Sequence, residues 1–375
     1  LDIYGDAFNR KGIEEFFMKY GIEYTFIDSH LLRGGKAIGV YADRFDDLKR
    51  LWKQFEKEYV FDEIKNLSPY SLYLINTACG EGKPVTIFTR DPKTGLQVWS
   101  GEHGYPGDSW YMEFHKKHFP GGLRYWRVTG SNCDLGEKME YSTEIINSRI
   151  NENSDHFAQL IKNTLKEYHN TTGQYGVLTA PYDTELFGHW WFEGPAFLEQ
   201  LLEKLASDPE IKLSNAATEC SELKPQVTVN IPEGSWGEGG YHYIWLNEDT
   251  QWTWKEIYHD EYRLKKILEN YSHKDESTDS LIVQLAREFL LIQSSDWQFL
   301  ISTRSARDYA ELRFSEHHND FNKLAEITEN AIKGNVISES DKYFFNELKI
   351  KNSLFKEMKI EWLLESFKSH MEKKK

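Results

Sequence analysis

Asp183 stands in the densest chemical stretch of the chain, Thr179-Ala-Pro-Tyr-Asp-Thr-Glu-Leu-Phe-Gly-His-Trp-Trp-Phe-Glu-Gly194, which packs three acids, a histidine, two tryptophans and two glycines. A carboxyl group flanked by large rings suits an acid that works on a sugar. Tryptophan stacks on the apolar face of a pyranose while the carboxyl handles the glycosidic oxygen. The plainer alternative is that Asp183 caps a following helix. A cap does not require His189, Trp190 and Trp191 beside it. His189 could orient Asp183 or bind a sugar hydroxyl; the alternative is a buried, satisfied histidine.

Such a carboxyl must be placed by regular elements. Tyr175-Gly-Val-Leu-Thr-Ala180 is short and apolar and reads as a buried strand, which Pro181 ends. Pro195 to Leu205 is helix-like, so Asp183 is expected just past a strand's carboxyl end, where strand-then-helix folds build their sites. Further strands are read at 22–28, ending in Asp28 and His30, which are expected to rim the pocket, at Val85–Thr89, and at 226–231. Asp91-Pro-Lys-Thr-Gly95 reads as a turn. Helices are read over 12–20, 143–168 and 195–206. The Gly-rich, aromatic stretch 101–136 is long for a loop, which marks it as functional, and Asp108 within it is a turn residue first. Beyond about residue 250 only helical patterns remain: 252–272, 280–292, 305–333 and 340 to the end.

Several blocks taken in order resemble glycoside hydrolase family 57, and within it the α-1,4-glucan branching enzymes. They are the Asp183 run, Gly95-Leu-Gln-Val-Trp-Ser100, Gly104-Tyr-Pro-Gly-Asp108, Tyr125-Trp-Arg-Val-Thr-Gly130, Glu233-Gly-Ser-Trp236 with Trp245-Leu-Asn-Glu-Asp249, and Ser294-Ser-Asp-Trp297 with Ala306-Arg-Asp-Tyr309. The resemblance covers residues 10 to 325. It implies an α/β fold: an incomplete (β/α) barrel of the family's TIM-like, seven-stranded type over 1–235, with an inserted lid at 42–70, followed by an α-helical carboxyl-terminal domain over 236–375.

The resemblance also implies roles. Asp183 becomes the general acid/base, and Trp99, Trp236 and Trp245 line the glucan groove. Asp296 and Trp297 face the site from the helical domain, although Ser294-Ser295-Asp296 also resembles a helix cap. Trp99 ends a strand-like run, Trp236 sits in a glycine loop with little to pack against, and Trp245, between Ile244 and Leu246, could equally be core. Retaining enzymes of this kind need a second carboxylate. The family's nucleophile is a Glu in a Trp-Leu-Pro-Glu block upstream of the segment that Arg10 to His30 resembles. This chain has no such block, and Glu14 and Glu15, on a predicted helix, do not replace it. The expectation is that the nucleophile belongs to a part preceding Leu1.

Composition bounds the alternatives. The chain has 375 residues, 39% of them apolar, and a net charge of −15. A concentrated positive field for nucleic acid is missing, whereas a neutral glucan needs none. No apolar run is long enough to span a bilayer and no secretory leader is evident. Three scattered cysteines fit a reducing cytoplasm. No ligand spacing suggests a metal, and no glycine loop suggests a phosphate cofactor. The expected partner is an α-glucan of the amylose or glycogen type, the expected activity is branching, and no cofactor is expected. The rival readings are an α-amylase or 4-α-glucanotransferase of the same family, and a non-catalytic glucan-binding protein.

Overall fold

Every residue of Val85–Thr89 is buried, which is what a short apolar run between two neighbouring strands must be. In this computed structural model the residues described are 9–32, 67–75, 84–100, 104–130, 133–225, 227–271 and 275–365. The lid expected at 42–70 lies almost wholly outside them. The chain divides into two units, Leu1–His242 and Tyr243–Lys375. The division falls a few residues beyond 235, because the turn after Gly234 closes on itself: Ser235 Oγ donates to the Tyr241 carbonyl at 2.6 Å. Trp236 therefore belongs to the first unit.

In the first unit, strands β1 (Tyr24–Ile27), β2 (Tyr73–Ile75), β3 (Val85–Thr89) and β4 (Thr228–Val229) form one sheet in the order β1-β3-β2-β4. β1 runs parallel to β3 with Ile27 opposite Thr89. β2 runs antiparallel to β3 and parallel to β4. The described sheet is thus mixed rather than uniformly parallel. Ile27, Ile75, Ile87 and Ile231 pack on Leu31 and Leu32 of α2 (Ser29–Leu32) to make one core. α1 (Ile13–Lys19) precedes β1 and is closed by Gly21 at positive φ.

Two sequence expectations change here. The segment 175–180 is not a strand. It is held by single contacts, with Val177 N–H donating to the Tyr70 carbonyl at 2.9 Å and Thr179 bridging Arg90. The expected turn at Asp91–Gly95 is the start of helix α3 (Pro92–Trp99). Asp91 is its cap, accepting from Thr94 N–H at 2.7 Å, and Pro92 supplies the fixed φ of the first turn. Trp99 accordingly closes a helix, not a strand. The strand read at 226–231 shrinks to β4.

A second core lies under α4 (Ile146–Thr172) and α5 (Gly194–Ser207), where Phe157 and Ile161 meet Phe197, Leu201 and Leu205 around Trp191. α6 (Ala216–Leu223) follows, capped by Asn215. Asp108 anchors this region. Its carboxylate accepts from Arg149 Nε at 3.2 Å and Asn153 Nδ2 at 3.1 Å, tying the turn to α4.

The second unit is helical: α7 (Gln251–Asn270), α8 (Glu276–Ile292), α9 (Asp296–Thr303), α10 (Arg307–Ile332) and α11 (Glu339–Lys351). Leu281, Ile282, Leu285, Phe289 and Ile292 put one face of α8 against Phe314, Phe321 and Leu324 of α10. The last expected helix is interrupted after Lys351, where Asn352 turns inward and donates to both Glu288 carboxylate oxygens at 2.9 and 2.8 Å, and helix resumes over 360–365. None of the described helices is long and apolar enough to cross a membrane.

Candidate active site

The segment carrying Asp183 is clamped on both sides. Upstream, Asp91 N–H donates to the Thr179 carbonyl at 2.8 Å. Next to Asp183, the Tyr182 hydroxyl donates to the Thr94 carbonyl of α3 at 2.9 Å, and burial holds that phenol well above its usual range. Downstream, Leu186 and Trp191 are set in the core, 4% and 1% exposed. Trp191 lies against Phe197, ring centres 4.6 Å apart. Asp183 itself is half-buried and occupies the cap position of the short turn Thr184–Leu186, but makes no capping hydrogen bond with its side chain. The capping alternative is therefore not the use this carboxyl is put to.

The remaining chemistry of the first unit gathers at the carboxyl ends of β1 and β3. Asp28 follows β1; His30 Nδ1 lies 3.2 Å from its Oδ1 and an Arg90 guanidinium nitrogen 3.7 Å from its Oδ2. Burial alone raises the Asp28 carboxyl, but the hydrogen bond and charge of His30, with the charge of Arg90, outweigh it and bring it below 3.8. The loop after β4 returns to the same place. Gly234 pairs with Asn9, and His30 Nε2 lies 3.3 Å from the Gly240 carbonyl. A β-carbon on Gly234 would lie 2.5 Å from Leu31 Cδ2 and 2.6 Å from the Gly240 oxygen, so glycine is required there. Glu233 meets His242 Nε2 at 2.8 Å. Burial lowers that imidazole and the Glu233 bond only partly restores it.

Trp236 is half-buried in this loop, and the Arg90 guanidinium lies over its ring at 5.0 Å. The expectation that the ring has little to pack against fails for this reason. Trp99 is half-buried against the second core. His189 is exposed and packs edge-on to Phe114, 5.5 Å between centres, while Trp190 stacks on the same ring at 4.8 Å. His189 is thus not the satisfied buried histidine of the alternative reading.

Three expected site residues belong to the second unit. Trp245 is 9% exposed, and its carbonyl accepts from Trp254 Nε1 at 2.7 Å. Its own indole N–H is buried without a hydrogen-bond partner among the described residues. Asp296 opens α9 and is exposed, and Trp297 is half-buried with its indole donating to the Leu291 carbonyl at 2.7 Å. The described residues contain no cluster that could hold a metal ion. Arg90, Asp91 and Tyr182 were missed in the sequence. The Asp-Pro pair directly after an apolar strand was the available signal for the first two; for Tyr182 nothing local distinguishes it from its neighbours.

Comparison with known proteins agrees across the chain. A family profile described as 1,4-alpha-glucan branching enzyme, C-terminal, matches residues 256–362. The 1,4-alpha-glucan branching enzyme of Thermococcus kodakarensis is 39% identical over 356 residues, 94% of this chain and 49% of its own length. The crystal structure of a GH57 branching enzyme from that archaeon, in complex with glucose, superposes with a TM-score of 0.78 at 36% identity, covering 94% of this chain and 60% of that one. The GH57-type branching enzyme of Pyrococcus horikoshii gives 0.74 at 37%, over 94% and 58%. The alpha-amylase AmyC of Thermotoga maritima gives 0.69 at 25%, over 96% and 64%. The chain spans about half the length of the curated relatives it matches. Sequence and fold together place it: the chain belongs to glycoside hydrolase family 57, with that family's 1,4-alpha-glucan branching enzymes.

Proposed function

We propose that this chain supplies the general acid/base and part of the glucan-binding surface of a 1,4-α-glucan branching enzyme. The observation that carries the reading is Asp183: a half-buried carboxyl in a segment anchored on both sides, at Thr179 and Tyr182 before it and at Leu186 after it. In the proposed reaction Asp183 protonates the leaving 4-oxygen as the α-1,4 bond breaks. The glycan remains as a covalent ester on a second carboxylate. Asp183, now a carboxylate, then takes the proton of an acceptor 6-hydroxyl as that oxygen attacks the anomeric carbon and the ester bond breaks. Fixing the acid before substrate arrives lowers the reorganisation needed at the transition state. The four described strands are, on this reading, part of the family's barrel, and within the first unit Trp99 and Trp236 offer rings to glucose faces; within the second, Trp245 and Trp297 are proposed to contact glucan. The unpartnered indole N–H of Trp245 supports such a role, since a buried donor without an acceptor is costly unless a ligand supplies one.

An α-amylase would use the same acid with water as acceptor, and the lower identity to AmyC, 25% against 36%, favours branching. Asp183→Asn, in the protein produced in full, removes the transferable proton and little else. Branching of amylose, read as α-1,6 linkages by proton NMR, is expected to fall by about 10²–10⁴-fold with the fold intact. A variant of near-wild-type rate sinks the assignment. Wild-type protein that cleaves amylose without making α-1,6 linkages returns the amylase reading, and one that binds amylose without cleaving it returns the binding-protein reading.

A further inference from the structure

We infer that Arg90 is a positioning residue that holds the Trp236 ring in place for a bound glucan; this rests on the glucan-anchor reading of Trp236. Trp236 lies among Gly234, Gly237, Gly239 and Gly240, and such a loop by itself leaves the ring's direction unset. Among the described residues no aromatic ring packs on it. What does is the guanidinium of Arg90, 5.0 Å from the ring centre.

Arg90 is well placed to act as a fixed post. It is the residue directly after β3, its N–H donates to the Ile27 carbonyl at 2.8 Å, and it bridges Thr179 of the Asp183 segment. Its side chain is 16% exposed, and Asp28 lies 3.7 Å from it. That carboxylate balances the charge, so the cation need not reach into water. Gly95 gives the guanidinium its room, since a β-carbon there would stand 3.1 Å from Arg90 Nε. Arginine suits the task better than lysine. A planar guanidinium can face an indole and a carboxylate together, whereas an ammonium is a compact point charge. The backbone of one residue thus ties the acid-bearing segment to the sheet, while its side chain sets the ring.

Fluorine NMR of the full chain labelled with 5-fluorotryptophan tests this, with the Trp236 signal assigned by Trp236→Phe and maltoheptaose as the probe. In Arg90→Ala the Trp236 signal is expected to shift or broaden while those of the second unit stay. Maltoheptaose binding is expected to weaken by about two- to thirtyfold, the range of one cation–π contact. Arg90→Lys should recover part of the loss. Gly95→Ala keeps the charge, favours the helix and crowds the guanidinium, so it should move the same signal if Arg90→Ala proves too unstable to study. In a Trp236→Phe/Arg90→Ala double variant the two losses should not add. A Trp236 signal unmoved by both Arg90→Ala and Gly95→Ala overturns the positioning role, and so do fully additive losses. A signal that moves with Arg90→Ala yet ignores saturating maltoheptaose overturns instead the glucan-anchor reading on which the inference rests.

Discussion

Asp183 and Trp236 differ in how their positions are set. Asp183 is placed by its chain neighbours, with the Thr179 carbonyl and the Tyr182 hydroxyl hydrogen-bonded on one side and Leu186 buried on the other. Trp236 is fixed through its side chain, by Arg90. Trp236 is half-buried rather than core, so Trp236→Ala should leave the fold in place and separate two outcomes of the proposed reaction. If the ring holds the acceptor and excludes water, transfer falls by about tenfold to a hundredfold, judged from the roughly 1–3 kcal/mol of base–ring stacking. Cleavage falls less. The check is the ratio of new α-1,6 linkages to reducing ends released from amylose by the protein in full. An unchanged ratio with both rates lowered makes Trp236 a general anchor, and no change in either rate removes it from the site.

At the scale of elements, one aspartate joins three of them. Asp91, fully buried, caps α3, accepts from the Tyr70 hydroxyl at 2.8 Å and donates its N–H to Thr179. Asp91→Ala would remove the acceptor of the buried Thr94 amide and hydroxyl. A lost cap costs about 0.5–2 kcal/mol, and each orphaned buried group about 1–3 more. We expect about 2–4 kcal/mol of destabilisation by urea titration, with glucan binding weakened because the Asp183 segment loses its clamp; a change under about 0.5 kcal/mol would contradict this account. In the helical unit, Asp260 of α7 is fully buried and meets His318 Nδ1 of α10 at 2.7 Å. That hydrogen bond, reduced by burial and helped by Glu256, raises His318 above 6.5. A folded-state value raised above the unfolded one gives stability that is complete below about pH 6 and lost as pH rises through the folded value. The stability of residues 243–375 within the whole chain should therefore decline as pH rises above about 6.5 and through the raised folded value of His318. His318→Gln should flatten that slope in thermal unfolding, and an unchanged slope would assign it to other groups.

For the whole molecule, the proposed double displacement needs a second carboxylate, and the expectation from the sequence is that residues 1–375 do not hold it, since they contain no Trp-Leu-Pro-Glu block. Purified 1–375 is accordingly expected to make no α-1,6 linkages from amylose, while still binding maltoheptaose; detectable branching would place the nucleophile inside this chain. The sequence by itself determined what local pattern can carry: β3 at its full length, the 3.6-residue stripes of α4, α8 and α10, and a carboxyl set among aromatic residues at Asp183. Each of these depends on side chains within a few positions of one another. Tertiary structure alone decided the rest. Whether 175–180 becomes a strand depended on a partner ladder that the fold does not provide, since Tyr70 and Asp91 take its hydrogen bonds singly. Whether Trp245 is buried, and whether Trp236 has a partner, depended on contacts no window of sequence contains. Arg90 and Trp236 lie 146 positions apart in the chain and meet only because β3 and the loop after β4 are brought to one place, where a cation beside Asp28 finds an indole face.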